Sequence, residues 1–155
     1  MADDVDVLLR FCEDEWTQGR HTESQRATVT NFVVILSIGV FTFIVQKGLS
    51  IQTLPLTLLL ILLGIYGAVI SYKLYERWSL CRRRVRYWRN RIDELHPNAK
   101  LLELKKTAAL EQAKKYPRMY KIKLYRLWSI LHISIAIIGL ICSIIIIARF
   151  WIYGV

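Results

Sequence analysis

The sequence predicts an all-α integral membrane protein with three transmembrane helices and a cytoplasmic helical hairpin. Three stretches without a single charged residue carry that prediction: Ala27 to Gln46, Gly48 to Tyr72 and Leu127 to Ala148. Each reaches the ~20 residues that a helix needs to cross a hydrocarbon core of about 30 Å. Composition points the same way, since 54% of the 155 residues are hydrophobic while the formal net charge is +10. A membrane protein reconciles those two figures by gathering its charge outside the bilayer.

The charge is indeed gathered. Between Lys73 and Arg126 stand 17 lysines and arginines against five acids, whereas the turn joining the first two stretches holds only Lys47. Basic loops are retained on the cytoplasmic side, so 73–126 and the N-terminus are expected in the cytoplasm and Val155 outside. Phe150, Trp151 and Tyr153 around Arg149 suit the outer interface, and Trp78 and Trp128 the inner one. Four segments follow: an amphipathic N-terminal helix (1–26), the first two spans (27–72), a basic hairpin continuous with the second span (73–126) and the third span (127–155). The first span is not expected to be a cleaved signal. It follows an acidic leader (Asp3, Asp4, Asp6, Glu13, Asp14, Glu15, Glu23) where a signal would be basic.

The second span and the basic segment share one periodicity. Thr57, Leu60, Gly64, Gly67, Ser71, Leu74, Trp78, Cys81, Val85, Trp88, Ile92 and Leu95 recur at alternating steps of three and four, the seam of a helix packed on helices. In the apolar part the seam is small or weakly polar, and beyond it aromatic and aliphatic. Lipid supplies no hydrophobic drive, so close backbone approach through small residues must replace it, whereas packing in water uses large side chains. One helix is expected from about Thr53 to Leu95, with Pro55 tolerated in its first turn. Ile122, Tyr125, Ser129, His132, Ala136, Gly139, Ser143 and Ile146 form a matching seam on the third span. His132 is read there as a hydrogen-bonded packing residue, with a pH sensor as the rival.

The first span differs. Thr28, Asn31, Ile35, Gly39, Thr42 and Gln46 fall on one side of a helix, and most are polar. Polar residues at membrane depth face a bundle interior or water. The stripe therefore lines a pore in a homo-oligomer or packs on the second helix within the chain. The opposite side, with Val33 and Ile44, suits lipid or a hydrophobic neighbour. In the basic segment the chain is expected to turn at His96-Pro97-Asn98. A further helix from about Ala99 to Lys115 then carries Leu101, Leu104 and Ala108 on one face and ends before Tyr116-Pro117. The N-terminal residues Val5, Leu8, Leu9, Cys12 and Trp16 form an apolar face for packing against the basic hairpin.

Arg82, Arg83, Arg84, Arg86, Arg89 and Arg91 are candidates for holding an anionic ligand or anionic lipid headgroups. Nucleic acid is the weaker expectation for that cluster, although Tyr87 and Trp88 lie among the arginines. No phosphate-binding loop, nucleophile–base arrangement or metal-ligand spacing is present, so no enzyme, metal or cofactor is expected. Cys12, Cys81 and Cys142 are too scattered for a paired motif and are expected as free thiols.

Trp16-Thr17-Gln18-Gly19-Arg20-His21, Gln25-Arg26 and Asn31-Phe32 lead into the first span, and the span pair ends in Tyr75-Glu76-Arg77. These residues and their layout resemble the RipA-family octameric bacterial membrane proteins and, more loosely, the SLATT-type transmembrane effectors of antiphage systems. The SLATT pattern has two spans, and a third follows the hairpin here. The resemblance implies homo-oligomerisation and, for the effectors, pore formation or membrane disruption on a signal. The function expected is thus a homo-oligomeric channel or pore, in the role of a regulated antiphage effector. Its cytoplasmic hairpin would receive an anionic ligand or a protein partner as the trigger. The alternative is a non-conducting oligomeric scaffold for lipids or envelope enzymes.

Overall fold

The computed structural model describes residues 4–153, and among these every regular element is helical. Helix α1 spans Asp4–Lys47, α2 Leu54–Leu95, α3 Leu101–Lys115 and α4 Leu124–Tyr153, with short 3₁₀ turns at Ile51–Thr53, Pro97–Ala99 and Met119–Lys121. Three of the helices, α1, α2 and α4, are long and apolar enough to cross a membrane. Asp3 and Val155 lie outside the described residues.

Local chemistry explains the boundaries. Helix α1 opens on Asp4 and Asp6 and closes on Lys47, each charge placed to suit the helix dipole. The chain reverses at Gly48, whose φ of +79° is cheap only for glycine. The buried Thr53 hydroxyl then holds the turn, accepting the Ser50 N–H at 3.1 Å and lying 3.0 Å from the Gly48 carbonyl. Pro55 follows in the first turn of α2. Helix α2 stops before His96-Pro97, because proline disfavours helix at the residue preceding it. Tyr116-Pro117 ends α3 in the same way, after Lys114 and Lys115 in its last turn.

Contacts sort the chain into two units. The first holds residues up to Ser24 together with Leu74–Leu124, and the second Gln25–Lys73 with Tyr125–Val155. In the first, basic unit, the start of α1 lies along the second half of α2. Cys12, Val85 and Ile92 are its buried core, flanked by Val5, Leu8 and Trp88. Phe11 meets Trp88 with ring centroids 5.2 Å apart, and buried Gly19 of α1 faces Trp78 and Cys81.

In the second, apolar unit, α2 and α4 run antiparallel in close contact, with the second half of α1 beside α4. A Cβ added at Gly64 would stand 2.5 Å from the Ala136 nitrogen, and one at Gly139 would stand 2.8 Å from the Thr57 carbonyl oxygen. At Gly67 it would collide with the His132 imidazole. Glycine is thus what permits the backbone approach, which in lipid is the main source of helix association.

Two expectations need correction. Helix α3 begins at Leu101 and not Ala99; its Leu101 and Leu104 are 36% and 63% exposed, and none of its residues is buried. Ile122 precedes α4 and is exposed, so the α4 seam starts at Tyr125; Leu95, at the far end of the α2 seam, is exposed as well. Of the two settings open to the face of α1 bearing Val33 and Ile44, lipid or a hydrophobic neighbour, the structure shows the second, each residue being only 1% exposed.

Candidate functional site

The six candidate pore-lining residues are all on the outside of the protomer. Thr28, Asn31, Ile35, Gly39, Thr42 and Gln46 are exposed, and a Cβ at Gly39 would meet nothing within 4 Å. The buried positions of the same stretch are Arg26, Thr30, Val33, Ser37 and Ile44. At about 100° per residue the two sets point to opposite sides of α1. The stripe is therefore not packed on the second helix, the intrachain alternative left open by the sequence. Beside it lies an open groove of about 280 Å³, walled by Val34, Phe41, Leu131 and Ile138 and including Ser37 and Thr42.

The inner face of α1 is also partly polar, and α4 meets part of that polarity. Thr30 Oγ1 and His132 Nε2 lie 3.2 Å apart, with the residues 2% and 0% exposed. The direction of that hydrogen bond follows the imidazole tautomer. One turn away, Arg26 lies 5.7 Å from the centroid of the Trp128 ring. Farther along the same seam of α4, the Ser143 hydroxyl donates to Thr57 Oγ1 at 2.8 Å, while the Thr57 hydroxyl donates to the Leu54 carbonyl at 2.8 Å. Of the helix-packing candidates, Gly64, Gly67, Ser71, His132, Gly139 and Ser143 are buried, and Ser129 and Ala136 half-buried. Thr30, Ser37 and Arg26 were not among the predicted sites. Polar residues occur all around α1, so its sequence alone does not tell which side is inward.

The six arginines of α2 have different surroundings. Arg84 donates to Glu15 Oε1 at 3.0 Å, and Arg91 to Glu94 at 2.7 Å. Arg82 instead stacks on Trp78, 4.5 Å from the ring centroid, and Arg89 lies 5.8 Å from that of Trp16. Arg83 and Arg86 are exposed. Helix α3 adds Lys105 to the group containing Arg82, Arg86 and Arg89. Burial depresses its pKa, and the three guanidinium charges depress it further. Asp93, in the last turn of α2, accepts the N–H groups of Leu101 and Leu102 at 2.8 and 2.9 Å and so caps α3.

Cys81, on the seam, lies beside buried Glu15. Burial pushes its thiol pKa up, the hydrogen bond and charge of Glu15 add to the rise, and Arg84 partly offsets it. All three cysteines are free, and among the described residues no cluster of metal-binding side chains occurs. Comparison of the chain with protein-family models, with curated proteins and with solved structures gave no match.

Proposed function

We propose that the chain is a homo-oligomeric channel or pore of the bacterial inner membrane, with the polar stripe of α1 lining the conduction path. The observation that carries this reading is the exposure of Asn31, Thr42 and Gln46 on the side of α1 turned away from its own protomer. In lipid, unsatisfied amide and hydroxyl groups are costly. Copies arranged around an axis would turn those groups toward water and leave Leu62, Ile65, Val69 and Ile141, exposed on α2 and α4, to meet acyl chains. The basic unit then hangs in the cytoplasm as a hairpin of α2 and α3, in keeping with the positive-inside bias. The role of a regulated antiphage effector rests on the layout resemblance described above.

A non-conducting scaffold is favoured by one feature: the middle of the stripe is Ile35, 68% exposed, and Gly39, so no continuous polar track runs along α1. In that arrangement Asn31 and Gln46 would hydrogen-bond between copies. Ion flux through liposomes containing the purified protein separates the two. Asn31→Leu or Gln46→Leu is expected to abolish flux while the assembly keeps its size on a sizing column. Unchanged flux in both variants would sink the pore, and loss of assembly in either would favour the scaffold.

A further inference from the structure

The basic unit contains a set of cations that its own acids do not neutralise. Positions 82, 86 and 89 are spaced by four and three, so their side chains leave one side of α2. The Asp93 cap fixes the first turn of α3 at the end of α2, and the left-handed Lys100, with φ of 48°, reverses the chain between them. Helix α3 thereby sets Lys105 within electrostatic range of all three arginines. Three acids of the unit are engaged elsewhere: Glu15 with Arg84, Glu94 with Arg91 and Glu103 with Lys100. Among the described residues, Arg82, Arg86, Arg89 and Lys105 form no ion pair, and the rings of Trp78 and Trp16 orient two of the guanidinium groups without cancelling their charge.

We propose that Arg82, Arg86, Arg89 and Lys105 form a binding site for a multiply charged phosphate group, carried either by a soluble ligand or by a lipid headgroup. Like charges held together cost free energy unless an anion joins them, and several positive charges match a phosphate with more than one negative charge better than a lone carboxylate. The guanidinium fork donates two parallel hydrogen bonds to phosphate oxygens, while lysine adds a compact point charge. The aromatic supports of Arg82 and Arg89 limit the side-chain freedom lost on binding. The proposal goes beyond the pore reading and does not depend on it, because its test measures binding and not conduction.

The test uses the full chain in phosphatidylcholine nanodiscs, titrated with inorganic pyrophosphate by calorimetry. In a second arm, thermal stability is compared between discs with and without phosphatidic acid, whose phosphomonoester headgroup can carry more than one negative charge. Arg86→Gln and Lys105→Gln are set against Arg83→Gln, which removes the same charge from another side of α2. Binding or lipid-dependent stabilisation is expected to weaken about tenfold or more in the first two variants and less than about twofold in the third. A response to pyrophosphate assigns a soluble ligand, and a response to phosphatidic acid alone assigns a headgroup. The proposal is overturned if neither probe acts, or if Arg83→Gln loses as much as the others. It is also overturned if Arg86→Gln and Lys105→Gln break the subunit assembly while neither probe binds, since the cluster would then meet carboxylates of a second copy.

Discussion

The Cys81–Glu15–Arg84 group shows how a polar cluster can be concealed in a seam. Cys81 was legible as a seam position because its neighbours recur at three and four residues. Its partner Glu15 was not, since an acid among Glu13, Asp14 and Glu15 carries no periodic mark, and only the approach of α1 to α2 selects the buried one. Burial and the Glu15 carboxylate both hold the thiol in its neutral form. For an acid whose folded pKa is raised, the folded chain keeps its proton longer than the unfolded chain, so stability falls as pH rises through the ordinary thiol range. The same sign governs reactivity, because the thiolate is the nucleophile. With Cys12 and Cys142 replaced by serine and alanine, alkylation of Cys81 by iodoacetamide is expected to have a pH midpoint above that of a free cysteine. Glu15→Gln should lower that midpoint by removing a negative charge. A midpoint that stays in place would show that Glu15 does not act on the thiol.

Between helices, the controlling variable is how near two backbones come. The seams of α2 and α4 were readable from residue spacing because close packing in lipid demands small side chains at regular steps. What spacing could not show was which glycines are under compression. Gly64 and Gly39 look alike in sequence, yet one lies against the α4 backbone at Ala136 and the other faces open space. Gly64→Ala is therefore expected to push α2 and α4 apart and to destabilise the protein by about 1–3 kcal/mol. Gly39→Ala should be neutral or stabilise by roughly 0.5–1 kcal/mol, since alanine restricts the unfolded chain and fits a helix interior. Unfolding midpoints in mixed detergent would register both, and equal effects would show that α2 and α4 are not in close contact at Gly64. Helix α3 was legible in its extent, but a helical period alone does not supply a partner surface, and its leucines are exposed.

The protomer leaves its first span half finished. One side of α1 is closed by α4 through Thr30 and His132, while the other leaves Asn31 and Gln46 exposed. A bilayer tolerates aliphatic exposure such as that of Ile141, but it gives Asn31 and Gln46 nothing to bond with. Copies related by rotation would bring equivalent stripes toward one another, since closed rotational symmetry is the usual arrangement of like subunits. That geometry makes a positional prediction independent of conduction. In a background freed of Cys12, Cys81 and Cys142, Gln46→Cys and Asn31→Cys should form disulfide-linked dimers in native membranes under mild oxidation. Ile141→Cys, on the outward side of α4, should remain monomeric. A pore wide enough to separate the stripes beyond disulfide reach would still yield dimers with a longer bifunctional thiol reagent, again only at positions 31 and 46. Efficient coupling at position 141 with none at 31 or 46 would place α4 at the contact between copies. The polar face of α1 would then have to be satisfied by a partner other than this chain.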